Sequence, residues 1–421
     1  MNKLACILLF TILVKFSAGQ TGFSNPYFPS EPKGPGEWKL QLSGYASQES
    51  NSNSLDNQFF NTINRSGFIE KDVIETQIDH ISDKALSGQI SNLGAGIFIN
   101  SAKKPGKIYY YAGFDHDHYL DTYIDKDLVQ LLLLGNKPFA GQTLEMPATK
   151  YYNIYFNQVK GGVGFGFGND DARHDLLVKV GINSGQNYDY VELNNSSVYT
   201  HPEGDFLDIT ANVINQASDT VWATVFDING MGVSTDISYS FLKKENFYLN
   251  FSTRNLGLIF WNGNTFSGEI DTTFRFEGLS NDSLNSQNLP GDYSYNSLRR
   301  LLFKNPDNAT FSEILPWSLN LSVGKFLGGR KFYIGFSGNF YPTLQANYLM
   351  EIFATWNIQE KVYLTPLVKF GSYGKLNFGM AAGVRFADRF RIELGSAYLN
   401  SMLDEHGLLG NGGFIRLVYT H

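Results

Sequence analysis

Between Trp317 and His421 nearly every second side chain is apolar. Leu319, Leu321 and Val323 are followed by Phe332, Ile334 and Phe336, then by Tyr348, Met350, Ile352, Ala354 and Trp356. The alternation continues through Leu364, Val368 and Phe370, through Phe378, Met380 and Val384, through Ile392 and Leu394, and closes on Ile415, Leu417 and Tyr419. The positions between are largely polar or small, as at Ser318, Asn320, Asn377 and Gly379. Successive side chains of a strand point to opposite faces, so the pattern predicts seven consecutive two-faced strands. The links Tyr341-Pro342-Thr343, Gly371-Ser372-Tyr373-Gly374 and Ala387-Asp388 are short enough to require antiparallel neighbours. A soluble β-sandwich alternates in the same way, but its strands cluster near about 5–6 residues. Strands of roughly 9–14 residues suit a tilted bilayer crossing, which takes roughly 9–11. The expected fold is all-β: a transmembrane antiparallel β-barrel of about 14 (14–16) strands with short helical plug or loop insertions.

Composition agrees with a membrane barrel. Aromatics make up 15% of the 421 residues, as expected of barrels with girdles at both interfaces. Charged residues are only 17%, low for a wetted surface. The formal charge is −7 without a basic cluster, which argues against nucleic acid as a partner. Lys3, the apolar run from Leu4 to Val14 and Ser17-Ala18-Gly19 together read as a secretory signal over residues 1–19. Residues 20–421 then form a single outer-membrane barrel domain. Cys6 is the one cysteine, so the mature chain offers no disulfide or thiolate ligand. The chain is expected to sit in the outer membrane of a Gram-negative cell, with the lipid of that membrane as its first partner.

Two stretches break the alternation. Residues 48–88 carry apolar side chains at helical spacing, from Phe59, Phe60 and Ile63 to Ile74, Ile78 and Ile81. Residues 117–153 contain the apolar run from Leu128 to Leu134 and a Gly/Pro-rich turn. Both read as plug or extracellular loop insertions, since long links inside a compact domain are usually functional. With the C-terminus on the periplasmic side, residues 48–88, 117–153, 185–203, 278–312 and 401–409 fall outside. The short links at Lys103-Lys104-Pro105-Gly106 and Ala387-Asp388 fall inside, as bacterial barrels require.

Two motif pairs resemble an uncharacterised Bacteroidota barrel family, domain of unknown function 5723, similar in architecture to long-chain fatty-acid transporters. One is Leu131-Leu132-Leu133-Leu134-Gly135-Asn136 with Gly141-Gln142-Thr143-Leu144. The other is Phe226-Asp227-Ile228-Asn229-Gly230-Met231-Gly232 with Asn255-Leu256-Gly257-Leu258-Ile259-Phe260-Trp261. That family tends to have Asp-Leu-Gly where this chain has Arg254-Asn255-Leu256-Gly257. The resemblance implies a fold and a location, about 14 strands with an inserted plug, and no substrate.

Candidate sites are few. His116 and His118, in Asp115-His116-Asp117-His118, share one strand face at i, i+2 and form a weak metal candidate; a solvated rim is the simpler reading. Glu351, Lys369, Lys375, Arg385, Arg391, Glu393 and Arg416 fall on the lumen face, where charges must pair or meet water. Phe59, Phe60, Leu131, Leu133 and Phe139 are apolar loop positions suited to a ligand or partner. No pairing of these groups has the spacing of a hydrolase triad, so no enzyme activity and no cofactor are expected. Two functions remain open: a transporter-like channel for hydrophobic or small amphipathic molecules, or a non-transporting partner subunit of an envelope secretion or assembly complex.

Overall fold

The computed structural model describes residues 38–64, 69–101, 107–169, 171–218, 227–244, 246–262, 265–277, 309–374, 376–386, 389–404 and 406–421. The wall begins with β1 (Leu40–Asp56), β2 (Lys84–Asn100), β3 (Ile108–Asp125), β4 (Thr143–Gly168) and β5 (Ala172–Thr200). After β6 (Leu207–Ser218) it continues with β7 (Gly230–Lys243) and β8 (Phe247–Trp261). After β9 (Thr265–Phe276) and β10 (Phe311–Ile314) it resumes with β11 (Ser318–Leu327), β12 (Phe332–Phe340), β13 (Tyr348–Ile358), β14 (Val362–Gly371), β15 (Leu376–Phe386), β16 (Phe390–Ser396) and β17 (Leu408–Thr420). Each wall strand pairs antiparallel with its neighbour, β5 with β7, β8 with β11, and β17 back onto β1. The result is a closed barrel of 14 antiparallel strands. Closure gives every wall strand a partner on both sides, as a lipid environment demands.

The long links between wall strands gather at one end of the barrel, which is the outer end by the rule for bacterial barrels, while short turns such as 328–331 and 359–361 lie at the other. The wall is lopsided. β4 and β5 run for 26 and 29 residues, far more than the roughly 9–11 that cross a bilayer. Their upper halves continue as a sheet above the membrane, extended by β6 on β5 and by β9 on β6. Outward-facing Leu321, Ile334, Ile352, Trp356, Phe378, Met380 and Leu394 stay exposed and form the lipid-facing band.

The insertions are shorter than the alternation suggested. β1 runs to Asp56 and β2 starts at Lys84, so only residues 57–83 leave the sheet. β3 likewise runs to Asp125, and β4 starts at Thr143. Above the bilayer both strand faces are polar or covered, so the hydrogen-bond ladder continues while the two-residue pattern fades. The helices α1 (Asn57–Asn64), α2 (Lys71–His80) and α3 (Lys126–Leu134) join the outer ends of these strands, as loops. Asp56 caps α1 by accepting from the Phe59 amide at 2.7 Å. Asp125 caps α3 by accepting from the Asp127 amide at 3.0 Å. Gly135, at φ 73°, ends α3 with its amide on the Leu131 carbonyl. That explains the Leu-Leu-Leu-Leu-Gly motif structurally.

The inner face is also less polar than expected. Tyr248, Phe326, Tyr333, Phe353, Tyr363 and Leu367 pack together inside the barrel. Inward glycines make room for such rings: a Cβ on Gly164 would lie 2.0 Å from the Tyr109 ring, and one on Gly335 2.5 Å from Phe353. Within the glycine-rich run at residues 161–168, Gly164 serves this purpose. The signal segment, the two turns at Lys103–Gly106 and Ala387-Asp388, and most of 278–312 lie outside the described residues.

Candidate functional site

Arg254 of β8 reaches across the lumen. Its guanidinium donates to the Tyr45 hydroxyl of β1 at 2.7 Å and to Asp117 Oδ1 of β3 at 2.7 Å. β1 and β8 are nearly opposite in the ring, so the contact spans the barrel rather than following its wall. Tyr45 in turn donates to Asp115 Oδ1 at 2.9 Å. Lys160 of β4 bridges Asp115 and Asp236 at 2.9 and 2.7 Å, with its side chain 1% exposed. Three carboxylates thus meet two cations. Amides supply further donors: Asn92 to Asp117 at 2.6 Å, and the Asn255 amide nitrogen and backbone to Asp117 and Asp236 at 3.2 and 2.8 Å. In a dry interior such a network is strong when complete and costly when broken.

The wall is irregular at the same level. The β7–β8 register slips between Thr235 and Ile237, so Arg254 and Asn255 together face Asp236. Asn255 adopts φ 61° and also donates to the Pro316 carbonyl at 3.4 Å. Residues 315–317 interrupt β10 and β11, which would otherwise be one strand on β8. Proline lacks the amide a ladder needs, which explains a break at Pro316. The second family-like motif pair lies here: Gly230 and Gly232 pair with Trp261 and Ile259, and Asn229 Nδ2 donates to the Gln186 carbonyl at 2.6 Å.

The crossing divides the lumen. On its outer side Ile90, Tyr119, Phe156, Tyr188, Trp261 and Leu344 form an apolar cluster. On the other side lies a cavity of about 230 Å³, touched by Tyr45, Tyr111, Lys179, Ser252, Arg254 and Arg416. Two further clamps brace the barrel. Lys369 of β14 pairs with Glu49 of β1, and the Tyr398 hydroxyl donates to the same carboxylate at 3.0 Å. At the outer rim, Tyr373 donates to Asp121 Oδ1 at 2.8 Å and the Gln345 amide to Oδ2 at 2.9 Å. Burial pushes the Tyr373 phenol well above its ordinary range, so it stays a donor.

The sequence-derived candidates scatter across this frame. Glu351, Lys369 and Glu393 are buried inside, and Glu393 pairs with Arg416 at 3.1 Å. Arg385 and Arg391 face each other on β15 and β16 near the periplasmic turn. Lys375 lies outside the described residues. Phe59 is buried beside the α1 cap, whereas Phe60 lines a surface cavity at the outer rim. Leu133 packs toward Ile81, and Leu131 and Phe139 toward Leu144. His116 and His118 share a face, but each faces an amide: His116 Nδ1 is 2.8 Å from Asn157 and His118 Nε2 2.9 Å from Asn153. No cluster of three metal-ligand side chains occurs among the described residues. The bonds across the lumen come from the same stretch of β3 but from its other face. Period two turns the imidazoles outward and Asp115 and Asp117 into the lumen. Tyr45, Lys160, Asp236 and Arg254 carried no local signal, since only barrel closure brings them together.

A family model described as a family of unknown function, DUF5723, matches residues 31–391. The chain belongs to this family. No curated protein matches it. Among solved structures, the barrel is similar to the TodX deltaS2S3 mutant monoaromatic hydrocarbon channel, with TM-score 0.44, 8% identity and 97% of each chain covered. It is similar also to the toluene transporter TodX of P. putida, with TM-score 0.42, 8% identity and coverages of 95% and 93%. A FadL homologue of Pseudomonas aeruginosa gives TM-score 0.40, 10% identity and 96% of each chain. The DUF5723 chain is a closed antiparallel β-barrel with a polar crossing inside it.

Proposed function

We propose that this barrel is a conduit for hydrophobic or small amphipathic molecules, with the Tyr45–Arg254–Asp117 crossing as its closed gate. The observation that supports this is the bridge that Arg254 makes across the lumen, with an apolar cluster on one side and a cavity lined by both charged and apolar side chains on the other. Opening requires only that side-chain bonds exchange for water or ligand, while the wall ladder stays intact. The buried carboxylates hold the gate and carry no catalytic role in this reading. The leader is removed near Gly19, and the mature chain sits in the outer membrane. Arg254→Ala removes the crossing without touching a wall hydrogen bond. In planar bilayers it should conduct measurably where the parent is silent, and cells producing it should accumulate a small aromatic dye faster. Unchanged conductance and uptake in a folded variant would dismiss the gate.

A second reading has its own observation. β9 pairs with β6 on one side alone among the described residues, and its Phe274 and Phe276 are exposed. An open strand edge above the membrane suits a partner protein of an envelope complex. Stable co-purification with a larger assembly, together with a silent Arg254→Ala barrel, would favour that role.

A further inference from the structure

β16 is too short to complete the wall. It ends at Ser396 opposite Met380, and its last partner on β17 is Phe414. Above that level, residues 376–379 of β15 and 408–413 of β17 have no strand between them. The segment 397–403 fills the gap instead, with a single helical turn, α4 (Leu399–Leu403). It is fastened chiefly through side chains. Asn400 accepts from the Phe378 amide at 2.7 Å, Ser401 donates to the Leu408 carbonyl at 2.9 Å, and Asn57 of α1 donates to the Ser401 and Asp404 carbonyls at 2.7 and 2.9 Å. Tyr398 points inward, where Asn51 donates to its hydroxyl at 2.7 Å.

The outward side of this panel is apolar. Leu399, Met402 and Leu403 are 38%, 50% and 88% exposed. They adjoin Leu376, Phe378 and Met380 of β15, themselves about half exposed on the lipid-facing band. Behind them, between α1 and α4, lies a cavity of about 380 Å³ lined by Asn57, Phe60, Ser401, Asp404, Leu409 and Asn411, among others. Its polar groups are amides, a hydroxyl and one carboxylate, set among Phe60, Met402, Leu403 and Leu409, with no Lys or Arg among the described residues. A polar cavity therefore opens beside an apolar strip continuous with the membrane face.

We propose that this panel binds a bilayer lipid, with the acyl chain on Leu399, Met402 and Leu403 and the head group in the α1–α4 cavity. Continuity with the lipid-facing band selects a membrane lipid as the occupant. The charge of the lining selects the head. Asp404 attracts an ammonium, whereas a head carrying only net negative charge meets a carboxylate and, among the described lining residues, no cation. The site thus prefers a zwitterionic head with a free ammonium over an anionic one. It stands whether or not the barrel conducts.

Native mass spectrometry of the full barrel in neutral detergent tests this, with phosphatidylethanolamine and phosphatidylglycerol of identical chains as probes. The parent should retain phosphatidylethanolamine severalfold better. Asp404→Lys should reverse the preference. Met402→Ser with Leu403→Ser should lower retention of both lipids while the heat-modifiable folded band persists. If Asp404→Lys fails to fold, Asp404→Asn should still narrow the preference. Equal retention of the two lipids by the parent, or an unchanged preference in a folded Asp404 variant, would overturn the assignment.

Discussion

Lys160→Met is the most demanding test of the lumen network. Methionine keeps the volume and the apolar stem and removes only the ammonium. In the parent that ammonium lies 2.9 Å from Asp115 and 2.7 Å from Asp236, and the side chain is 1% exposed. Its loss leaves two buried carboxylates that face each other across the vacated position. Asp115 keeps the Tyr45 hydroxyl and Asp236 keeps the Asn255 amide, so neither is stripped of every donor. Removing one member of a buried charge network costs about 3–5 kcal/mol. The retained donors point to the lower end of that span. Denaturant unfolding of the refolded barrel in detergent micelles, followed by the heat-modifiable gel shift, measures it. Restoring charge balance with Lys160→Met and Asp236→Asn together should recover at least half of the loss, because the double variant buries one carboxylate fewer. A single variant as stable as the parent to within about 1 kcal/mol would refute the reasoning, since buried ions cannot be abandoned so cheaply.

Three other outcomes follow from the same coordinates. Ile352→Arg places a charge on the lipid face at the middle of β13, where the side chain is 52% exposed; it should cost about 2–4 kcal/mol and reduce the folded fraction in liposome-insertion assays. Gly164→Ala drives a Cβ to 2.0 Å from the Tyr109 ring and should lose about 1–3 kcal/mol by denaturant midpoint, with Tyr109→Leu as the compensating second change. On β6 and β9, the Arg275 hydrogen bond holds the Asp208 carboxyl below its ordinary value of 3.8. A depressed carboxyl stabilises above its ordinary range and loses that contribution as pH falls through the lowered value. Hydrogen exchange should therefore show β9 better protected in the parent than in Asp208→Asn at neutral pH, with the two converging in strong acid.

The alternation in β11–β17 was enough to assign faces, because lipid on one side and packed interior on the other leave each position a single choice. Ile352 and Glu351 could be placed on opposite faces from their neighbours alone. β1 and β3 were truncated in the same reading, because above the membrane the wall meets polar surroundings on both sides and the period disappears. The neighbours of His116 and His118, Asn157 and Asn153, arrive only through the pairing of β3 with β4, and among the described residues no third metal ligand joins them. The aromatic filling of the lumen was not read from the sequence, because Tyr333, Phe353 and Tyr363 meet one another only once the ring of strands has closed.

The sequence by itself determined the fold class, the antiparallel order and which side of each late strand meets lipid, because those depend on contacts between residues close along the chain. Only the tertiary structure decided that Arg254 meets Tyr45 and Asp117, and that a helical turn replaces the missing end of β16. Both depend on where a closed ring brings distant strands, and on the width left inside it. No local pattern encodes that distance.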